Sequence, residues 1–383
     1  MIIKVDSKKH VCAVKKVEKT CKESVIVRFK NLPDGTVGAQ LITTDGTAQS
    51  QIGIITEVDN AVEDDYSIVF PADFIGTVKG ICSLGEKIEL TLNETSCLIV
   101  CGSAKITLPL LKEGQEISVS SPQKEKFVAF MTTREEIKKA LAKGALASDN
   151  GTGQLDNTLF LNFSKLEEEY KLLMITLGGS NAIISAKYAA IQVPTECEEM
   201  MKSMVEEDKT IFVATNHFLG TIENLSEKIA VYVFDKQTVI CSGPDTYVFI
   251  NKAIDFKVKM LKEQLLFKKD YTFNIKVDNA ELKKALSIAT LNVVDDKNKV
   301  IVEFKNKELK ISSLNGSSIM TVPVKEESEG EIRFGINASF LKRAIERCES
   351  DVEIFGTGEK KPVYVRDNDV ESDIVITPVV LED

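Results

Sequence analysis

One motif is written three times along this chain, and that repetition limits the fold more than any other feature. The segments "PADFIGTVKGIC" (71–82), "TNHFLGTIENLS" (215–226) and "NASFLKRAIERC" (337–348) each place a Phe, an Ile or Leu, a short polar or Gly-Thr step and a further aliphatic in the same order. Each follows a short apolar run: "SIVF", "TIFVA" and "IRFGI". The aligned rings are Phe74, Phe218 and Phe340, separated by 144 and 122 residues. That period is the size of a domain, not of a solenoid repeat. A second helical pattern stands ahead of each: "KKHVCAVKKV" (8–17), "EEIKKAL" (135–141) and "AELKKAL" (280–286). In the latter two, Ile137, Ala140 and Leu141, and Leu282, Ala285 and Leu286, fall on one helical face. Asp6 or Ser7, Thr132 or Thr133, and Asp278 or Asn279 stand where N-caps belong.

Between the two helices of each copy lie strand patterns and a glycine turn: "TTDGTA", "TLGGSN" and "SLNGSS". Further runs rich in Val, Ile, Thr and Phe follow the second helix ("KIELTL", "IAVYVF", "DVEIFG"). The repeat therefore reads helix, strands, turn, strands, helix, strands, an α+β unit with antiparallel sheet. A chain of 383 residues exceeds one ordinary core. The repeat divides it at 1–124, 125–256 and 257–383. The polar stretch 112–126 reads as a linker. The basic and apolar stretch 255–270 fits linker, strand or helix.

Eight cysteines without a CxxC pair suit a reducing compartment. The start "MIIKVDSKKH" carries no apolar run of the signal-peptide kind, and no run reaches membrane-span length. A cytoplasmic protein without a membrane partner is expected. The net charge of −10 argues against a simple basic nucleic-acid binder, but the charge is unevenly placed. Residues 4–22 carry seven Lys against Asp6 and Glu18, and the six helical segments together come to +7, leaving −17 elsewhere. Helices that line a common surface would thus be basic within an acidic protein.

With the repeats in view, the chain resembles the bacterial sliding clamp, the beta subunit of DNA polymerase III. "EIRFGINASFLKRAI" (331–345) is similar to that family's last strand-helix segment, and "KPVYVRDNDVESDIVITPVVL" (361–381) to its closing strands, with Pro378 at the near-terminal proline. "TYVFINKAID" (246–255) resembles the segment that closes the middle domain. The resemblance implies three clamp-type domains per chain and a head-to-tail homodimeric ring, with helices inside and antiparallel sheets outside. It implies sequence-independent binding of double-stranded DNA, and partners that include the replicative polymerase, the clamp loader and other clamp-binding peptides. DNA contacts then fall to Lys8, Lys15, Lys19, Lys22, Lys138, Lys139, Lys143, Lys284, Lys342, Arg343 and Arg347. Matching positions for a partner-peptide pocket are Thr176, Gly178, Leu265, Leu266, Ile376, Thr377, Pro378, Val379 and Val380. Those for the dimer interface are Ile106, Leu108 and Leu291. Departures occur at "TLGGSNA", where Gly179 and Ser180 replace polar residues usual in the family, and in the first linker, which lacks Pro-Asp-Tyr. They mark a divergent or secondary clamp.

No GxSxG, HExxH or P-loop motif occurs, and His10 and His217 read as ordinary surface or half-buried imidazoles. The acidic pairs Asp64-Asp65, Asp295-Asp296 and Glu198-Glu199 lie in polar stretches, and no metal or cofactor is expected. The chain is read as a non-catalytic processivity subunit. Two other classes stay open: a clamp-fold protein-binding scaffold that does not encircle DNA, and a metal-dependent hydrolase.

Overall fold

The computed structural model describes residues 1–33, 36–58, 66–149, 153–180, 182–268, 270–291, 298–327, 331–348 and 350–381. The pairs Asp64-Asp65 and Asp295-Asp296 lie outside the described residues. The described helices are α1 (Ser7–Val17), α2 (Asp73–Ile81), α3 (Arg134–Gly144), α4 (Glu198–Glu206), α5 (Thr215–Ile222), α6 (Val258–Gln264), α7 (Asn279–Ala289) and α8 (Ala338–Glu346). The two helical patterns of each repeat correspond to α1 and α2, to α3 and α5, and to α7 and α8. Aspartate caps the start of two of them. Asp6 accepts from the Lys9 N–H at 2.8 Å, and Asp278 accepts from Ala280 and Glu281 at 2.9 and 3.2 Å. Each cap satisfies N–H groups the first helical turn leaves open.

The glycine turns recur as the sequence predicts. Gly46, Gly179 and Gly316 sit at φ +89°, +56° and +68°, values that favour a residue without Cβ. In the second and third copies they turn Glu169–Gly178 into Ile183–Ala190 and Glu308–Ser313 into Ile319–Val322.

The chain forms two compact units. The first holds Met1–Glu135, Gln192–Met200 and Asn216–Lys252. Twelve described strands make its sheet, in the order Ala104–Pro109, Ser96–Cys101, Lys87–Leu92, Ile2–Asp6, Ala48–Val58, Asp245–Ile250, Gln237–Ser242, Lys228–Val233 and Val128–Thr133. Val37–Thr44, Ser24–Asn31 and Ser67–Pro71 branch from Ala48–Val58. The first repeat joins the second where Ser50 stands opposite Tyr247. Phe70 and Phe74 stack at 4.2 Å in the core beneath α2.

The second unit holds Glu136–Ile191, Met201–Thr215 and Ala253–Asp383. Its nine-stranded sheet joins the second repeat to the third, where Ile183–Ala190 pairs with Ser372–Ile376 and Ser185 faces Ile374. A four-stranded sheet, Ile319–Val322, Glu308–Ser313, Lys299–Lys305 and Ile332–Asn337, packs against α7 and α8. The strands of the middle repeat are shared between the units, because the sheets run straight through the repeat boundaries. The ambiguous stretch 255–270 contains helix α6. Val258 and Leu266 are buried in the second unit's core, so this segment carries packing weight that a linker does not.

Candidate nucleic-acid and peptide interfaces

Helix α1 buries Ala13, Val14 and Val17 on one side and leaves Lys8 and Lys15 exposed on another. Lys19 and Lys22 follow just beyond the helix, both exposed. Within the helix the seven-residue spacing of Lys8 and Lys15 keeps both on one face. Gly220 leaves room for Lys19: a Cβ there would stand 2.7 Å from Lys19 Cδ. Lys16 belongs to a different line. Its Nζ lies 2.5 Å from the buried Asp245 carboxylate, which also accepts from the Gly53 N–H at 3.2 Å.

In the second unit Lys138, Lys139, Lys284, Lys342 and Arg347 are exposed. Two of the expected DNA contacts, Lys143 and Arg343, make ion pairs within the unit. Lys143 Nζ reaches Asp367 and Asp369, each at 2.9 Å, and its side chain is only 15% exposed. Burial by itself would lower its pKa, but the two carboxylates outweigh burial and raise it. Asp369 in turn is held below the usual carboxylate range: burial raises it, and bonds and charge from Lys187 and Lys143 overcome that. Arg343 spends its guanidinium on Asp149 at 2.9 Å and on the carbonyls of Leu146 and Ser148 at 2.5 and 3.0 Å. Both cations therefore face carboxylates of the same unit, which neutralise their charge.

The positions expected to form a peptide pocket separate into a core and a rim. Thr176, Ile376 and Leu266 are fully buried. Thr176 donates to the Gly144 carbonyl at 2.9 Å. Gly178 is buried as well, and a Cβ there would lie 1.8 Å from the Ala147 carbonyl oxygen, so it offers a close backbone approach and no lining side chain. Thr176 and Ile376 lie where their strands are buried on both faces, Leu266 packs in the core just after α6, and Gly178 has no side chain, so none of the four offers a side chain to a surface. Thr377 and Val380 are exposed, and Pro378, Val379 and Leu265 are half-buried. Two main-chain bonds strap this last segment: Thr377 N–H to Ala182 O at 2.8 Å and Val379 N–H to Gly335 O at 2.9 Å.

Sequence reasoning missed Asp149, Leu146 and the special position of Phe340. Asp149 accepts from the Gly179 N–H at 2.6 Å as well as from Arg343. Phe340 is half-buried, whereas Phe74 and Phe218 are buried. A Cβ on Gly179 would stand 2.2 Å from its ring, so the glycine gives Phe340 its place. The Gly179 departure from the expected motif was the available signal.

Ile106 and Leu108 are half-buried on Ala104–Pro109, an edge strand of the first unit's sheet. In the second unit Leu291 is 74% exposed just after α7, and Ile319 is 59% exposed on Ile319–Val322, itself an edge strand. His217 is half-buried, as expected, whereas His10 is neither at the surface nor half-buried. His10 is completely buried against Phe74, with no hydrogen-bond partner for either nitrogen among the described residues, and burial lowers its pKa to about 4. His217 pairs with Asp45 at 2.8 Å. Among the described residues no group of His, Cys, Asp or Glu is arranged to hold a metal ion. Among the same residues no helix is long and apolar enough to cross a membrane.

No family model matches the chain. A curated relative does: the beta sliding clamp of Mycoplasmopsis pulmonis (strain UAB CTIP) is 24% identical over 307 residues, covering 74% of this chain and 75% of that protein. The structure superposes on the DNA polymerase III beta subunit of Pseudomonas aeruginosa with a TM-score of 0.82 at 15% identity, over 99% of this chain and 100% of that one. The beta subunit of Thermotoga maritima gives 0.82 at 14% identity over the full length of both chains. The sliding clamp of Bacillus subtilis gives 0.81 at 15%, again over both full lengths. The chain therefore has the fold of the bacterial sliding clamps, and about three quarters of it is similar in sequence to a beta sliding clamp at low identity.

Proposed function

We propose that the protein is a DNA sliding clamp that acts as the processivity subunit of the replicative polymerase. The observation that carries this reading is the full-length match to clamp structures at a TM-score of 0.82. The exposed Lys8 and Lys15 on α1, with Lys19 and Lys22 just after it, support it. Three repeats per chain and two chains head to tail would make a closed ring around duplex DNA. A head-to-tail contact joins two different surfaces. The edge strand Ala104–Pro109 with Ile106 and Leu108, and the edge strand Ile319–Val322 with the neighbouring Leu291, suit such a joint. Exposed edges bearing aliphatic side chains gain from pairing.

Encirclement removes the need for tight contact. Lysines that meet phosphates loosely carry no sequence information and let the protein slide. The protein performs no chemistry in this role; it tethers. Partners would dock a short peptide beside the segment 377–380, with a few apolar anchors supplying most of the affinity. The functional test is primer extension by the organism's replicative polymerase on a long single-primed template. Product length per binding event should rise sharply when the loaded protein is present. Equal lengths with and without it would contradict the processivity role.

A further inference from the structure

In the first unit a cavity of about 600 Å³ opens between α1 and the strands Ser24–Asn31, Val37–Thr44 and Ala48–Val58. That volume lies within the roughly 300–1,000 Å³ of small-molecule sites. Ala13, Ala39 and Ile52 line it and are buried, while Leu32 and Ile55 at the mouth leave apolar surface in water, Ile55 at 61% exposure. Three lysines line it too: Lys9, Lys16 and Lys30. Lys16 is answered by Asp245. Neither Lys9 nor Lys30 makes an ion pair with a described residue, and no carboxylate is among the described lining residues. An apolar trough with two cations that no described residue answers complements a molecule that is apolar along its length and anionic at one end.

We infer that this cavity is a binding site for a small amphiphilic anion, an acyl chain bearing a carboxylate. Two observations favour that chemistry over a polymer. Among the described residues no aromatic side chain lines the cavity, so there is no platform on which nucleic-acid bases would stack. The middle strand, Val37–Thr44, is hydrogen-bonded on both sides, to Ser24–Asn31 and to Ala48–Val58. An incoming peptide would find no free main-chain ladder there to extend. A hydrocarbon chain needs none. The site is separate from the segment 377–380 proposed for peptide docking and does not depend on the clamp reading.

Cys12 supplies the readout. It lines the cavity and is the one exposed cysteine of the eight. The rate at which the native protein reacts with a chromogenic disulfide is measured with and without dodecanoate, at concentrations that leave the circular dichroism unchanged. Cys12→Ser confirms which thiol reports. The inference predicts at least a tenfold slowing by dodecanoate. It predicts loss of that slowing in Lys9→Gln/Lys30→Gln and, independently, in Ile55→Asp, all changes at the cavity mouth. An unchanged rate would overturn the inference. Equal protection by sulfate would show charge alone at work and overturn the apolar part. Equal protection by dodecanol would overturn the assigned carboxylate.

Discussion

His217 Nε2 lies 2.8 Å from Asp45 Oδ2, joining the second helix of the middle repeat to the glycine turn of the first. Asp45 is also the organiser of that turn. Its other oxygen accepts from the Thr47 and Ala48 N–H groups, each at 2.9 Å, and from the Thr47 hydroxyl at 2.8 Å. Burial raises its pKa, but these bonds and the His217 charge outweigh burial and depress it.

Asp45→Ala should therefore lower stability by about 2 kcal/mol, the cost of unmet turn donors added to a lost pair. Asp45→Asn keeps a turn acceptor and should cost about 1 kcal/mol or less. Urea midpoints at constant slope measure both. Because the folded pKa is depressed, the Asp45 contribution is complete above its ordinary carboxylate value and is lost as pH falls through the folded one. The gap between native protein and Asp45→Ala should narrow in acid. A gap independent of pH would contradict the assignment.

The buried His10 makes a second pH prediction. Its pKa falls from 6.5 unfolded to about 4 folded, so the unfolded chain binds the extra proton between those values. Stability from this group is complete above pH 6.5 and is lost progressively toward pH 4, by about 3 kcal/mol in all. His10→Leu removes the titrating group. The stability difference between variant and native protein, followed by denaturant titration from about pH 7 to about pH 4.5, should shift steadily in the variant's favour. A constant difference would mean that the imidazole is solvated.

Much of this fold was legible in the sequence because it rests on local rules. Glycine turns at positive φ, Asp6 and Asp278 as caps, and apolar faces at helical spacing each depend on neighbours a few residues away. What remained hidden was non-local. Nothing near Lys143 in sequence announces Asp367 and Asp369, more than two hundred residues on. The stretch 255–270 mixes Lys with Leu and Phe in a pattern that a helix or a strand satisfies equally. Only packing on Phe160, Tyr188 and their neighbours decides for α6. Thr176 and Ile376 match pocket positions, yet both lie where their strands are covered on both faces.

The Lys143 cluster separates charge that binds from charge that folds. Lys143→Glu places a third carboxylate beside Asp367 and Asp369, and breaking a buried pair costs about 3–5 kcal/mol. That variant should melt early. Lys138→Glu/Lys139→Glu should keep its melting temperature, since exposed charges contribute little. Its weak binding to duplex DNA should fall and become less salt-dependent. Native salt dependence in this folded variant would remove α3 from the DNA surface.

Removing residues 377–383 should abolish binding of a peptide taken from the organism's replicative polymerase while the oligomer persists. Isothermal calorimetry on the full-length and shortened proteins decides it. Equal affinities would place the partner cleft elsewhere.

The head-to-tail joint predicts that Leu108→Lys or Leu291→Asp yields monomers in sedimentation velocity at low protein concentration. Both side chains sit at a surface, so the folded state should survive. A double variant that still sediments as a dimer would refute this pairing of edges.

Encirclement itself is tested by topology. The protein is loaded onto a nicked circular plasmid, and its retention is followed through a gel-filtration column at moderate salt before and after a single restriction cut. A clamp held by its ring stays with the circle and is lost within the run from the linear form, because it slides off the ends. Equal retention on circular and linear DNA would mean that contacts, not a closed ring, hold the protein, and would contradict the sliding-clamp account.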